Sequence, residues 1–220
     1  MMIPVWLMAG TMALAQVAEK ANSGYKTQEG RERVGRNMTA ADRDARQLPN
    51  DLISAMGIKP GMTVADIGTG PGYMLPFLSR AVGAEGKVIA EDIFPDFLEK
   101  AAEKASREKL GNVSFVKGTD KDPNFPAASI DVALTLDSYH HWDYPPEMLA
   151  GLRRGLKAGG RLVVVDFYKR PGAMGGNNAL DHIRIDEPEV IREIEANGFK
   201  LISKREHVKG RQYMIVFGRE

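Results

Sequence analysis

Three glycines, each separated from the next by one residue, mark the stretch of this sequence best suited to chemistry. Gly68, Gly70 and Gly72 follow the short apolar run Val64–Ile67, and a helical pattern begins directly after them. Glycine has no Cβ, so its backbone can take positive φ and a ligand can approach it closely. The helix that follows presents unpaired N–H groups and the positive end of its dipole to the turn. The pattern therefore predicts a strand, a tight turn and a helix arranged around a ligand.

An acidic residue downstream strengthens this prediction. The run Lys87–Ala90 reads as a second strand and is followed by Glu91 and Asp92. An acid at the end of the second strand, about twenty residues beyond the glycines, is placed to bond both hydroxyls of a ribose. The glycine turn and Asp92 together predict a cofactor that contains a nucleoside. The alternative is an ordinary loop followed by a solvated acid.

A polar and aromatic cluster follows the fourth predicted strand. The stretch Asp137–Trp142 reads DSYHHW and holds two of the four histidines of the chain. A histidine within hydrogen-bond reach of an acceptor can act as a base, and an aromatic face can stabilise a positive charge. Tyr139, His140 and His141 are therefore the candidate catalytic residues. The alternative is a polar loop anchored by the tryptophan.

The histidines do not predict a metal site. His140 and His141 are adjacent, so they lack the i, i+4 spacing that puts two ligands on one helix face. His182 and His207 are distant from the pair in the sequence. No metal is therefore expected.

Composition limits the classes of function. The chain has 220 residues, 43% of them hydrophobic, and a net charge of +1, which is typical of a globular α/β domain without a strong attraction to nucleic acid or anionic lipid. Cysteine is absent. This excludes disulfides, thiolate zinc sites and a cysteine nucleophile.

The N-terminal region is predicted to be separate from the main domain. Ile3–Ala15 is apolar and ends in A-x-A, the shape of a signal peptide over residues 1–15, although no Lys or Arg precedes it. With a leader the protein would be periplasmic or secreted, and without one it would be cytoplasmic. Residues 16–47 are polar, with a helix start predicted at Thr39, and form a surface arm before the domain at 48–220 or, as the family resemblance of that domain implies, a cover over its pocket.

Strands and helices alternate through the rest of the chain. The predicted strands are Met62–Ile67, Val88–Glu91, Val113–Val116, Ile130–Leu136, Arg161–Asp166, Phe199–Lys204 and Gln212–Phe217. The predicted helices are Pro49–Met56, Met74–Val82, Asp96–Leu110, Glu147–Leu156 and Glu187–Asn197. This alternation predicts an α/β fold with a doubly wound, mostly parallel sheet, and the short link between the last two strands makes that pair antiparallel.

Three segments together resemble a known family. VADIGTGPGY at 64–73, VIAEDI at 88–93 and LKAGGRLVVVDF at 156–167 resemble the class I S-adenosylmethionine-dependent methyltransferases, especially small bacterial members of the broad type-11 group. The resemblance extends from about Leu48 to the C-terminus. It implies a seven-stranded Rossmann-like sheet and S-adenosyl-L-methionine as the cofactor.

The resemblance also implies roles for individual residues. The backbone of Gly68–Gly72, with Asp66, holds the methionine end of the cofactor, while Asp92 takes the ribose and Ile93 packs on the adenine. The family usually has an acid directly after the glycine that follows strand three, where this chain has Thr119, so Asp120 or Asp122 would serve instead. The full set of implied cofactor-binding residues is Asp66, Gly68, Thr69, Gly70, Gly72, Asp92, Ile93, Thr119, Asp120 and Asp137.

The function predicted from these features is transfer of a methyl group from S-adenosylmethionine to an oxygen, nitrogen or carbon atom of a small-molecule acceptor. A non-catalytic sensor or scaffold that binds the same cofactor is the alternative. The GxGxG spacing argues against a nucleotide-binding oxidoreductase. Neither nucleic acid nor stable membrane insertion is predicted, and no Asn-Pro-Pro-Tyr run follows strand four to suggest methylation of nucleobase nitrogens.

Overall fold

The structure, a computed structural model, describes residues 16–175 and 178–220. The predicted leader at 1–15 lies outside the described residues, as do positions 176 and 177. Within the described ranges, every helix is too short or too polar to cross a membrane.

Seven strands form one sheet in the order β3-β2-β1-β4-β5-β7-β6. The strands are β1 Thr63–Ile67, β2 Lys87–Asp92, β3 Val113–Lys117, β4 Ile130–Leu136, β5 Leu156–Phe167, β6 Phe199–Val208 and β7 Gln212–Arg219. The first five strands pair in parallel, and β7 runs antiparallel to both of its neighbours, β5 and β6. This confirms the predicted α/β fold and its antiparallel C-terminal pair.

Helices cover both faces of the sheet. They are α1 Gln28–Met38, α2 Arg43–Gln47, α3 Pro49–Met56, α4 Leu75–Val82, α5 Pro95–Arg107, α6 Pro145–Gly155, α7 Asn178–His182 and α8 Glu187–Glu195. Single 3₁₀ turns occupy Ala21–Tyr25 and Tyr139–His141.

The helix start predicted at Thr39 is wrong. Thr39 instead ends α1, and its hydroxyl donates to the Gly35 carbonyl at 3.1 Å. The N-terminus of α1 is capped by Thr27, whose hydroxyl accepts from the Gly30 N–H at 3.1 Å. The two glycines inside α1 weaken its helical pattern in the sequence, because glycine is a poor helix former.

Each face of the sheet carries its own apolar layer. Val64, Val88 and Val132 pack towards α3 and α4, whereas Ala65 and Ala133 pack with α6 and α8 on the other face. All five side chains are fully buried. A parallel strand covered on both faces is expected to read as a nearly continuous apolar run, as these strands do.

The parallel register brings the ends of the central strands to one edge. Ile67, the last residue of β1, is level with Glu91 in β2 and with Thr135 in β4. The residues that follow these positions therefore leave the sheet side by side. That edge is where open α/β sheets bind their ligands.

Candidate active site

The turn after β1 requires glycine at two positions that face the edge of the sheet. Gly68 and Gly70 have φ of +67° and +55°, in the left-handed region that favours glycine. A Cβ on Gly68 would lie 2.2 Å from the Ser138 Oγ, and one on Gly70 would lie 3.0 Å from the Met38 Sδ. The turn is thus held between the loop after β4 and the end of α1.

Three residues predicted to bind the cofactor lie within or against this turn. The buried Asp66 accepts a hydrogen bond from the Thr69 hydroxyl at 2.7 Å. Burial raises the pKa of Asp66 to about 6, while the Thr69 bond acts in the opposite direction. A Cβ on Gly72 would lie 2.8 Å from Leu75 Cδ1. Asp66, Thr69 and Gly72 do not contribute to the lining of the cavity described below.

The carboxylate of Asp92 links the end of β2 to the glycine turn. One oxygen accepts the Gly70 N–H and the other accepts the Phe94 N–H, each at 2.9 Å. Burial raises the pKa of Asp92 to about 6, and the two backbone N–H groups oppose that shift. The neighbouring Glu91 is also buried, and its Oε1 has no hydrogen-bond partner among the described residues.

A cavity of about 310 Å³ opens at this edge of the sheet. Apolar and aromatic side chains, among them Phe94, Phe97 and Trp142, line it together with a few polar groups. The predicted cofactor-binding residues that line it are Gly68, Gly70, Asp92, Ile93, Thr119, Asp120 and Asp137.

The sequence left undecided whether Asp120 or Asp122 contacts the adenine. Of the two, only Asp120 lines the cavity. Both oxygens of Asp122 accept from Arg154, at 2.7 and 2.8 Å. The carboxylate of Asp122 is therefore paired with Arg154 outside the cavity.

Asp137 is held by two amides at the point where β4 ends. Gln47 and Gln212 each donate to one of its oxygens, at 2.9 and 2.6 Å. Burial and the charge of Asp166 raise the pKa of Asp137 to about 7, whereas Arg43 lowers it. Its φ is +53°, a conformation that Asp tolerates better than most residues.

His140 and Asp166 form a buried pair. Asp166 Oδ1 lies 2.7 Å from His140 Nδ1, and its Oδ2 accepts the His140 backbone N–H at 3.1 Å. Burial raises the pKa of Asp166 to about 7 and lowers that of His140. His140 itself does not line the cavity.

His141 is the member of the histidine pair that lines the cavity. Its Nδ1 lies 2.9 Å from Asn22 Oδ1, and its Nε2 lies 3.5 Å from the Tyr25 hydroxyl. Asn22 Nδ2 donates to the His141 carbonyl and to Asp143, both at 3.0 Å, which fixes the orientation of the amide. Oδ1 must then accept from His141 Nδ1–H, and Nε2 keeps its lone pair.

The fold also brings a residue that the sequence did not place at this site. His182, the last residue of α7, packs its ring 5.0 Å from that of His140 and 5.1 Å from that of His141. Helix α7 was not predicted, and it follows a glycine-rich loop with no periodicity. Sequence spacing gave no signal for this contact.

Tyr139, predicted to be catalytic, lies in the core. Its ring is fully buried, packs on Trp142 and does not line the cavity. Its hydroxyl donates to Glu193 Oε1 at 2.7 Å. The 3₁₀ turn at this position directs Tyr139 into the core and His141 towards the cavity.

The segment before α2 crosses the rim of the cavity. Tyr25 stacks on Phe94 with 5.9 Å between ring centroids and meets His141 edge-on at 4.8 Å. Arg31 Nε donates to both oxygens of Asp96, at 3.0 and 2.8 Å. The segment is therefore fastened to α5 and to the loop after β4.

These features fit S-adenosylmethionine. The backbone of Gly68 and Gly70 lines the cavity, and Asp92 and Glu91 offer carboxylate oxygens to ribose hydroxyls. Ile93 and Phe94 provide an apolar wall for a base.

Comparison with known proteins agrees with this geometry. Residues 65–164 match the family model described as a methyltransferase domain. Residues 65–164 thus carry a domain similar to the class I S-adenosylmethionine-dependent methyltransferases. The match spans the glycine turn, the β2 acid and the histidine pair of this methyltransferase domain.

Solved structures extend the likeness beyond the matched residues. A SAM-dependent methyltransferase from Aquifex aeolicus has a TM-score of 0.78 and 27% identity, covering 84% of this chain and 97% of that one. Geranyl diphosphate C-methyltransferase from Streptomyces coelicolor A3(2) has a TM-score of 0.66 and 15% identity, covering 89% of this chain and 87% of that one. The second likeness concerns the fold of the methyltransferase domain alone.

The relatives found by sequence align with a smaller share of this chain than the solved structures do. The ubiquinone/menaquinone biosynthesis C-methyltransferase UbiE of Marinomonas sp. is 35% identical over 118 residues, which are 53% of this chain and 47% of that protein. UbiE of Idiomarina loihiensis is 32% identical over the same length. The chain thus spans about half the length of these curated relatives.

Proposed function

We propose that this chain transfers a methyl group from S-adenosylmethionine to an oxygen, nitrogen or carbon atom of a small-molecule acceptor. The observation that carries the proposal is that the turns following β1, β2, β3 and β4 all line one cavity. Four separate segments supply polar or flexible groups to a single space, as expected of a ligand site at the carboxyl edge of a parallel sheet.

The cofactor would lie along the edge formed by the first three strands. Gly68 and Gly70 would hold its methionine end with backbone groups, and Asp92 would accept the ribose hydroxyls. Each Asp92 oxygen already accepts one backbone N–H and retains a second lone pair for a hydroxyl. Ile93 and Asp120 would contact the adenine.

The acceptor would occupy the end of the cavity near the loop after β4. His141, Trp142 and Asp143 line that end, together with Asn22 and Tyr25 from the N-terminal segment. When bound, S-adenosylmethionine supplies an electrophilic methyl group on a positively charged sulfur. The task of these residues is to hold the acceptor atom in line with that group, and such positioning can contribute about 7–11 kcal/mol.

His141 would receive the proton that a hydroxyl or ammonium acceptor must lose. Burial and the two neighbouring histidines lower its pKa, so the ring is neutral at neutral pH. Asn22 holds the Nδ1–H tautomer, which leaves the Nε2 lone pair able to accept a proton. A base in this position would contribute about 10²- to 10⁴-fold in rate.

Residues 16–47 would cover the site. The support for this role is that Met38 and Tyr25 line the cavity, while Arg31 fastens the segment to Asp96. Excluding water from the acceptor end strengthens the electrostatic interactions there.

The test is a calorimetric titration of the purified protein with S-adenosylmethionine, followed by a screen that measures S-adenosylhomocysteine formation. The screen should include hydroxyl, amine and activated aromatic carbon acceptors, the last because the UbiE relatives are named as C-methyltransferases. Binding with acceptor-dependent turnover supports the proposal. Binding without turnover for any acceptor favours the sensor or scaffold, and no binding overturns both.

A further inference from the structure

Three histidine rings from two distant segments meet beside the cavity. His140 and His141 follow β4, and His182 ends α7. Each offers one ring nitrogen, and the three nitrogens lie within 4.8 Å of one another. The rings of His140 and His141 have centroids 4.1 Å apart.

Two of these rings are held in the same tautomer by neighbouring side chains. Asp166 Oδ1 lies 2.7 Å from His140 Nδ1 and, when ionised, accepts its N–H, while Asn22 accepts from His141 Nδ1–H at 2.9 Å. Both rings therefore keep a lone pair on Nε2. A carboxylate or carbonyl that binds the outer nitrogen is the usual arrangement around a metal-binding histidine, because it orients the ring and raises its basicity.

The Nε2 atom of His140 has no other use that the structure shows. It is buried and lacks a hydrogen-bond partner within residues 16–175 and 178–220. A buried acceptor without a partner is unfavourable, because it has lost its hydrogen bond to water and gained none in the protein. A ligand between the three rings would remove that cost.

The electrostatic surroundings suit a cation held by neutral rings. All three rings are buried or half-buried, and imidazole binds metal ions in its neutral form. The positive charge of Arg184 is paired, since Arg184 donates to both oxygens of Glu193, at 2.9 and 2.6 Å.

We propose that His140, His141 and His182 bind a divalent transition-metal ion of the Zn²⁺ type. Three imidazoles suit Zn²⁺, Co²⁺ and Ni²⁺ better than Mg²⁺ or Ca²⁺, which prefer oxygen ligands. With Zn–N distances of about 2.0–2.1 Å, tetrahedral ligands lie about 3.4 Å apart. The three rings must therefore approach one another by up to about 1.4 Å from their largest separation of 4.8 Å. His182, half-buried on a short helix, is the ring best able to move.

The fourth coordination position would face the acceptor end of the cavity, because His141 lines that end. Water would occupy it in the resting protein. During methyl transfer, a hydroxyl acceptor would replace the water and release its proton to solvent, and its oxygen would bond the methyl carbon as the carbon–sulfur bond of the cofactor breaks. In this metal-bound form solvent takes the proton that His141 would take in the metal-free protein. This last step rests on the proposed function, whereas metal binding itself does not.

The first experiment uses tag-free, chelator-treated full-length protein titrated with ZnCl₂ and, separately, with CoCl₂. We expect one ion per chain, and visible absorption bands of four-coordinate Co²⁺. His182→Gln should weaken Zn²⁺ binding by at least about 100-fold, since it removes a direct ligand. The matched control is His207→Gln, because His207 donates only to the Gln47 carbonyl, at 2.8 Å, and lies outside the cluster.

A second variant tests the supporting groups. Asn22→Ala should weaken Zn²⁺ binding about 10- to 100-fold while leaving all three ligands in place. Thermal melting followed by circular dichroism checks that each variant is folded. The proposal is overturned if the wild type binds no stoichiometric Zn²⁺, or if folded His182→Gln binds it as tightly as the wild type.

The same samples are titrated with S-adenosylmethionine to keep the two proposals apart. Zn²⁺ binding without S-adenosylmethionine binding contradicts only the proposed function. S-adenosylmethionine binding without Zn²⁺ binding contradicts only the metal site.

Discussion

The Oδ2 atom of Asp92 accepts the backbone N–H of Gly70 at 2.9 Å. This bond joins the end of β2 to the turn after β1, so the two motifs that the sequence singled out separately form one unit. The carboxylate both shapes the turn and stands where the ribose of a bound cofactor would lie. Asp92 is therefore the residue through which cofactor binding is best tested.

We expect Asp92→Asn to weaken S-adenosylmethionine binding by about 10- to 100-fold. A hydrogen bond to a charged group contributes about 1.5–3 kcal/mol, and the amide replaces one of the two acceptor oxygens by a donor. Calorimetric titration measures the change. Asp122→Asn serves as the control, because Asp122 pairs with Arg154 outside the cavity. Equal losses in both variants would contradict the assigned role.

The pH dependence of binding should report the same carboxylate. Burial raises the pKa of Asp92 to about 6, and only its ionised form accepts two hydroxyl hydrogen bonds. Affinity for S-adenosylmethionine should therefore fall below about pH 6, by up to about tenfold per pH unit for one coupled proton. In Asp92→Asn this part of the pH dependence should disappear. A wild-type affinity that is constant from pH 8 to pH 5 would refute the prediction.

Replacing Gly68 by Ala should abolish cofactor binding. The new Cβ would lie 2.2 Å from Ser138 Oγ, at a φ of +67°. Gly61→Ala is a matched control, because Gly61 has a φ of +85° and no atom within 4 Å of the added Cβ. The control should lose about 1–2 kcal/mol of unfolding free energy from backbone strain alone. Denaturant unfolding and calorimetry together separate strain from the local collision.

Asp137→Asn should change how stability depends on pH. Burial raises the pKa of Asp137 from its usual 3.8 to about 7, so the folded state holds a proton that the unfolded state has already released. This proton binding favours folding at low pH, and its contribution is lost as the pH rises through about 7. The variant should therefore gain stability relative to the wild type as the pH rises from about 4 to about 7, as measured by urea unfolding. Asp51→Asn, at an exposed position of α3, is the control for the loss of one carboxylate.

Tyr139→Phe separates a structural from a catalytic role. Removing the hydroxyl deletes the 2.7 Å hydrogen bond to Glu193 Oε1, and we expect a loss of about 1–2 kcal/mol in unfolding free energy. Glu193 keeps its pairing with Arg184, so no charge is left unpaired. Cofactor affinity and turnover should stay at the wild-type level. A fall in turnover of tenfold or more in folded Tyr139→Phe would indicate that the hydroxyl takes part in catalysis.

The sheet could be predicted from the sequence because each central strand carries its own local signal. β4 has the predicted bounds, Ile130–Leu136, and α3 spans Pro49–Met56 as expected. The start of β5 was missed, since Leu156 begins the strand and the predicted start was Arg161. Gly159 and Gly160 were predicted to separate the helix from the strand, but α6 already ends at Gly155. Leu156 then pairs with Ile130, so β5 begins before the two glycines.

The site was only partly predictable. Residue types and spacing identified Gly68 and Asp92 as cavity residues, because they follow strands whose ends must meet. They did not distinguish Asp66, which braces the turn, from groups that face the ligand. The contact of His182 with His140 depends on how α7 packs over the sheet edge, and no local pattern encodes it.

The contacts that hold the N-terminal segment in place bear on the rate of the reaction. Arg31 ties it to Asp96 on one side of the cavity, and Asn22 ties it to Asp143 on the other. With residues 16–47 covering the site as proposed, the cofactor and the product would enter and leave past a segment that is anchored at both ends. The residence time of the demethylated cofactor would then depend on how often those two contacts break. The maximal turnover rate would be limited by movement of the N-terminal segment and not by the methyl-transfer step.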